Sequence, residues 1–173
     1  MISRTVEYAL RAIVWLASQS GEPRTTREVA HATRVPSNYL SKVLQTLVEG
    51  EIIRSQRGLG GGFVLMRDAK SLSVLDVVNA VDPLQRIRSC PLGLNSHSIR
   101  LCALHQRLDD AMAGVERAFA ASMIAEFLSD TRSEHPLCST PAAELRRNAP
   151  RGAATVDKRG EKRRDIRRTR RSK

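Results

Sequence analysis

VPSNYLSKVLQTLVEGEIIRSQRGLGGGFVLMRD, residues 35–68, holds two different periods back to back. In its first half Leu40, Val43, Leu44 and Leu47 recur at spacings of three and one, the apolar stripe of an amphipathic helix. Pro36 suits the first helical turn, where a missing N–H costs nothing, and Gly50 marks the end. In the second half Ile52 and Ile53 begin one short extended run, and Phe63 to Met66 form another. Between them lie Arg57, Gly58, Leu59 and three consecutive glycines, Gly60 to Gly62. This reads as a β-hairpin with a glycine-rich tip.

Upstream, TTREVAHAT at 25–33 reads as a shorter helix, with Thr25 and Glu28 at capping-box spacing. Two helices joined by a tight turn, the second more sharply amphipathic, form a helix-turn-helix pattern, and the hairpin behind it is a wing. Residues 4 to 18 read as a further helix, with Val6, Ala9, Leu10, Ile13 and Leu16 on one face and Glu7 and Arg11 paired on the other. Downstream, SVLDVVNAVD at 73–82 is a short helix with a second capping box, Ser73 and Asp76. Residues 83 to 101 have no clear period and read as a loop. A long helix is expected over 103–129, where Leu104, Leu108, Ala111, Val115 and Ala118 alternate by four and three, a coiled-coil seam suited to packing against its twin.

The fold class is therefore mainly α with a small β-hairpin. Residues 1–82 form a winged helix-turn-helix domain, 83–102 a ligand loop, 103–129 a dimerisation helix, and 130–173 a disordered basic tail. The net charge of +11 is unevenly spread. Residues 146–173 hold 13 Lys and Arg against 3 acids, a net of +10, whereas 24–70 carry +4 and 71–145 carry −3. No apolar run approaches the roughly 18 residues needed to span a bilayer. Glu7 and Arg11 interrupt what would be the apolar core of a secretory signal. The expected compartment is the cytoplasm, with no membrane partner, and there cysteines serve as thiols or ligands more often than as disulfides.

A helix-turn-helix places the N-terminal side chains of its second helix at base edges in the major groove. Here those are Ser37, Asn38, Tyr39, Ser41 and Lys42, although Tyr39 is also a candidate core residue. At the wing, Arg57, Gly58 and Leu59 form the tip, and Arg57 is placed to enter a narrow minor groove. Arg54, Arg67 and Lys70 are candidate phosphate contacts that set register. The expected partner is double-stranded DNA. No nucleotide loop and no paired acid–base set favours an enzyme.

ISRTVEYALRAIVWLA, NYLSKVLQTL, RGLGGGFVL and SVLDVVNAVD, followed by a cysteine-containing loop, occur in this order. Together they resemble the Rrf-two (Rrf2) family of bacterial winged-helix regulators related to IscR, NsrR and RirA. The resemblance covers about residues 1 to 130. It implies a homodimeric transcription factor, mostly a repressor, that binds a palindromic operator and in many members senses iron–sulfur status, nitric oxide or redox state through a bound cluster.

The same resemblance gives meaning to CPLGLNSHSIRLCALH at 90–105. Cluster-binding relatives carry three cysteines here, spaced six and six, and the IscR-like ones add a histidine three after the last. Cys90, Cys102 and His105 match; Ser96 stands where the middle cysteine would be, and His97 is beside it. Some relatives take a further ligand from an acidic residue in the partner's first helix, a position matched by Glu7. The implied site is Cys90, Cys102, His105 and Glu7 of the other chain, holding a two-iron, two-sulfur cluster, with His97 as substitute ligand. The alternatives stay open: a Cys90–Cys102 thiol switch or another metal, and a loop with no site, in a cluster-free regulator that responds to thiol oxidation or a small ligand. Cys138 lies outside the pattern. The tail is expected to anchor DNA without sequence choice, and a non-specific nucleic-acid-binding protein is the competing class.

Overall fold

The computed structural model describes residues 2–90 and 101–129. The elements run α1 (Arg4–Ala17), α2 (Thr26–Thr33), α3 (Ser37–Glu49), β1 (Ile53–Gln56), β2 (Gly62–Leu65), α4 (Val74–Val81), α5 (Ala103–Ala121) and α6 (Ile124–Ser129). The expected tail, Ser96, His97 and Cys138 lie outside the described residues.

Helix starts follow the caps read in the sequence. Thr25 accepts from the Glu28 N–H while the Glu28 carboxylate accepts from the Thr25 N–H, and Ser73 and Asp76 repeat the box on α4. Burial works to raise both carboxyls; the capping hydrogen bonds, with Arg24 beside Glu28 and Arg67 beside Asp76, outweigh it and hold both below the ordinary range. The core is built where the apolar stripes meet. Val6, Ala9, Ile13 and Leu16 of α1, Leu40, Val43, Leu44 and Leu47 of α3, and Val74, Val77 and Val78 of α4 are buried together. Arg34, in a left-handed conformation with φ of 55°, makes the turn between α2 and α3, and Val35 beside it is buried.

Gly50 was expected as a helix terminator, and the structure gives it a different reason to be glycine. Its φ is −80°, which any residue adopts, but a Cβ there would stand 2.7 Å from Ala80 Cβ, so α3 and α4 meet at this point.

The hairpin pairs Ile53 with Leu65, Arg54 with Val64, Ser55 with Phe63 and Gln56 with Gly62. Arg24 adds a one-residue third strand beside β2: its N–H donates to the Phe63 carbonyl at 3.0 Å and its carbonyl accepts from the Phe63 N–H at 2.7 Å. The glycines of the tip divide by role. Gly58 and Gly60 have φ of 97° and 79° with open space around them, which lets the tip turn. A Cβ on Gly61 would stand 2.4 Å from the Gln56 carbonyl oxygen, and one on Gly62 2.4 Å from that of Arg24. Those two glycines serve the wing's own packing.

The helix expected over 103–129 is two helices. Ser122 is extended, Met123 bridges to Ser73, and α6 follows. The Val74 N–H donates to the Ser122 carbonyl and the Ile124 N–H to that of Leu72, both at 2.9 Å. A continuous helix would forfeit these bonds and withdraw Ile124, which is fully buried, from the core. The core thus extends beyond residue 82. By contrast, α5 contributes no buried residue, and the five expected seam positions, Leu104, Leu108, Ala111, Val115 and Ala118, are all exposed.

Candidate nucleic-acid interface and Cys–His centre

Ser37, Asn38, Tyr39, Ser41 and Lys42 are all exposed in the first turns of α3, because the buried stripe takes Leu40, Val43, Leu44 and Leu47. Tyr39 has a second task. Its ring meets Tyr8 edge-on at 5.4 Å and its hydroxyl shares a 2.7 Å hydrogen bond with Thr5 Oγ1. It therefore fixes the start of α3 against α1 while remaining 41% exposed. Gln45, one turn beyond Ser41, is also exposed and was not singled out from sequence; its i+4 relation to Ser41 was the available signal. At the wing, Arg54, Arg57, Gly58 and Leu59 are exposed, Leu59 completely. Arg67 is exposed as well; it pairs with Asp76 at 3.3 Å and donates to the Ser71 carbonyl, so it also braces the start of α4. Lys70 is exposed.

The second constellation forms where residues 83–90 meet the start of α5. Cys102 is the N-cap of α5 and His105 lies one turn on, so the imidazole folds back toward the thiol. His105 Nδ1 stands 3.2 Å from Cys102 Sγ and 3.6 Å from Cys90 Sγ. All three donor atoms lie within 4.8 Å of one another. The sequence places Cys90 and Cys102 twelve residues apart; the fold brings them together.

An ion-pair clamp holds this junction. Arg86 donates to both carboxylate oxygens of Asp109, at 2.7 and 2.6 Å, and to Glu116 at 2.8 Å. The Ile87 N–H donates to Asp109 at 3.0 Å. The Arg86 hydrogen bonds hold the Asp109 carboxyl down at about 2 against the opposing effect of burial, and the two acids push the Arg86 guanidinium still higher. Sequence reading missed this clamp, since nothing local pairs Arg86 with residues 23 and 30 positions away.

Glu7 is not part of the group within its own chain. It pairs with Arg11, which also reaches the Thr33 carbonyl at 3.4 Å. Both line a cleft of about 490 Å3 with Leu10, Val14, Val74 and Phe119. Two thiols and an imidazole form a soft donor set of the kind that holds iron–sulfur clusters or zinc, and the described residues supply three such donors. Among the described residues no helix is long and apolar enough to cross a membrane.

Comparison with known proteins agrees with this architecture. The profile of Rrf2, described as an iron-dependent transcriptional regulator, matches residues 2–130. A protein of Mycobacterium tuberculosis named as an HTH-type transcriptional regulator, Rv1287, is 31% identical over 136 residues, covering 78% of this chain and 84% of its own length. Among solved structures, CymR, the global cysteine regulator of B. subtilis, superposes with a TM-score of 0.62 at 19% identity, over 76% of this chain and 98% of that one. IscR of T. potens gives 0.61 at 19% identity, over 75% and 87%. These two likenesses speak to the fold. The chain belongs to the Rrf2 family of transcriptional regulators and has that family's winged-helix DNA-binding fold.

Proposed function

We propose that the protein is a homodimeric, cytoplasmic, sequence-specific repressor whose operator affinity is set by the state of the Cys90–Cys102–His105 centre. One observation carries the DNA-reading part. The polar set Ser37, Asn38, Ser41 and Lys42 is left exposed because the core takes Leu40, Val43, Leu44 and Leu47 of the same helix, and the wing tip Arg57–Leu59 is exposed beside it. The α3 side chains read base edges, Arg57 enters the minor groove, and Arg54 contacts phosphate. The outward seam of α5 supports the dimer: five small or apolar residues in heptad register face away from the chain's own core.

For the sensor, Cys90, Cys102 and His105 would hold an iron–sulfur cluster of the two-iron type, with Glu7 of the other protomer as fourth ligand. When bound, a cluster supplies a redox-active group of tunable potential. The chain's own residues do the rest. Cys102 and His105 lie on the first turn of the dimer helix, and the Arg86 clamp fastens the Cys90 segment to that same helix. Any change that separates Cys90 from Cys102 is thereby transmitted to α5, and so to the spacing of the two α3 helices. Operator half-sites about 34–36 Å apart penalise such a change. The close approach of the two cysteines supports a second reading, a thiol switch, in which a peroxide takes two electrons and two protons and the sulfurs join.

The test is DNase footprinting on genomic fragments with protein purified without oxygen, before and after removal of bound metal. A palindromic footprint that appears in one state and weakens at least tenfold in the other is expected. Equal affinities in the two states sink the sensor, and smeared protection without a bounded footprint sinks sequence-specific reading. Deleting 146–173 should flatten the salt dependence, which runs near −0.9 per phosphate neutralised, while preserving the footprint.

A further inference from the structure

We infer that the Cys90–Cys102–His105 centre binds one divalent ion of the zinc class in its own right, without inorganic sulfide and without the second protomer. The inference rests on reading these three residues as a ligand set and not on the cluster. The argument is metric. A tetrahedral ion holding sulfur at about 2.3 Å and nitrogen at about 2.0 Å separates those two donors by roughly 3.5 Å. The two sulfur–nitrogen distances in the chain, 3.6 and 3.2 Å, bracket that edge. The sulfurs lie within 4.8 Å of each other, about one ångström of closure from a shared ion. A two-iron cluster divides its four protein ligands between two metal atoms, whereas here both thiols converge on a single imidazole nitrogen.

The site is also pre-positioned. Cys102 and His105 are fixed by one helical turn, and Cys90 follows a segment whose Arg86 and Ile87 are tied to Asp109. The donors are half-buried, so an ion can reach them. The described residues supply three of the four donors that a tetrahedral zinc site takes.

Cobalt(II) is the probe, followed by zinc displacement. Full-length apo-protein carrying Cys138→Ser is titrated with Co2+ under argon. One equivalent per chain should bind, with the strong visible absorption of a tetrahedral ion and near-ultraviolet thiolate charge transfer, and one equivalent of Zn2+ should bleach it. Cys90→Ser, Cys102→Ser and His105→Ala should each weaken binding at least tenfold, with helical circular dichroism unchanged. Glu7→Gln should leave the titration unaltered. Two equivalents per chain, an octahedral-type spectrum, or an unshifted His105→Ala titration overturns the inference. A parallel sample receives iron and sulfide. Cluster assembly alongside absent cobalt binding overturns this inference and leaves the cluster reading standing; neither metal form binding overturns both.

Discussion

The body of the molecule and its α5 arm are held by different physics. Buried apolar residues of α1, α2, α3, β1, α4 and α6 form one core, whereas α5 adds no buried residue and packs against it through the half-buried Phe119. Beyond Phe119, the arm is held by the partly buried ion pairs of Arg86 with Asp109 and Glu116, while its apolar seam is exposed. A helix of 19 residues with Leu104 64% exposed and Leu108 48% exposed is poorly explained as part of a monomer. The body has a closed core, and the arm leaves an apolar seam exposed, as the proposed dimer requires. The residues proposed to read DNA therefore sit on the part with the buried core, and the Cys–His centre sits at the joint between the two, where the proposed switch would act.

The largest effect that tests this contrast is core truncation. Leu44→Ala should lower unfolding stability by about 2–5 kcal/mol, whereas Leu108→Ala, at concentrations where the chain is monomeric, should change it by no more than about 0.5 kcal/mol. Chemical denaturation of both variants decides this, and comparable losses would mean that α5 belongs to the monomer's core. Leu108→Ala should instead lower the dimer fraction in sedimentation. Next comes the wing. Gly62→Ala drives a Cβ into the Arg24 backbone and should cost about 3 kcal/mol, against about 1 kcal/mol for Gly60→Ala, where only the positive φ objects. Thermal melts that rank the two the other way would remove the role assigned to the Arg24 strand. Ser73→Ala, which strips one cap from α4, should cost about 1 kcal/mol.

How much of this was legible depended on how local each feature is. Both capping boxes, the α3 stripe and the wing could be read because three or four residues carry the whole signal. The break at Ser122 escaped because its cause is remote. Leu72 and Val74 pair with the chain there, and the only local hint was Glu126, whose carboxylate caps the Met123 N–H at 3.0 Å. The Arg86 clamp and the third strand at Arg24 escaped for the same reason. Gly50 was legible as a glycine but not for its cause, since proximity to Ala80 is a property of two helices and not of one. In the Cys–His centre the pair Cys102 and His105 is local, while the approach of Cys90 is tertiary.

The smallest predicted effect probes the joint itself. In the folded chain Arg86 holds the Asp109 carboxyl at about 2, below its ordinary 3.8. A depressed carboxyl contributes stability that is fully present above the ordinary value and is lost as pH falls through the folded one. The clamp should therefore loosen between about pH 4 and pH 2. Glu28 and Asp76 are depressed too and lose their capping contribution as pH falls, so global unfolding cannot separate the three. The Ile87 amide can, because it donates directly to Asp109 at 3.0 Å. Its hydrogen-exchange protection should fall across that window before the amides of α3 exchange, and Asp109→Asn should abolish the pH dependence while sparing Leu44. Simultaneous loss of protection at Ile87 and Leu44 would mean that arm and body open as one unit, and the switch proposed at the Cys–His joint would have nothing to act on.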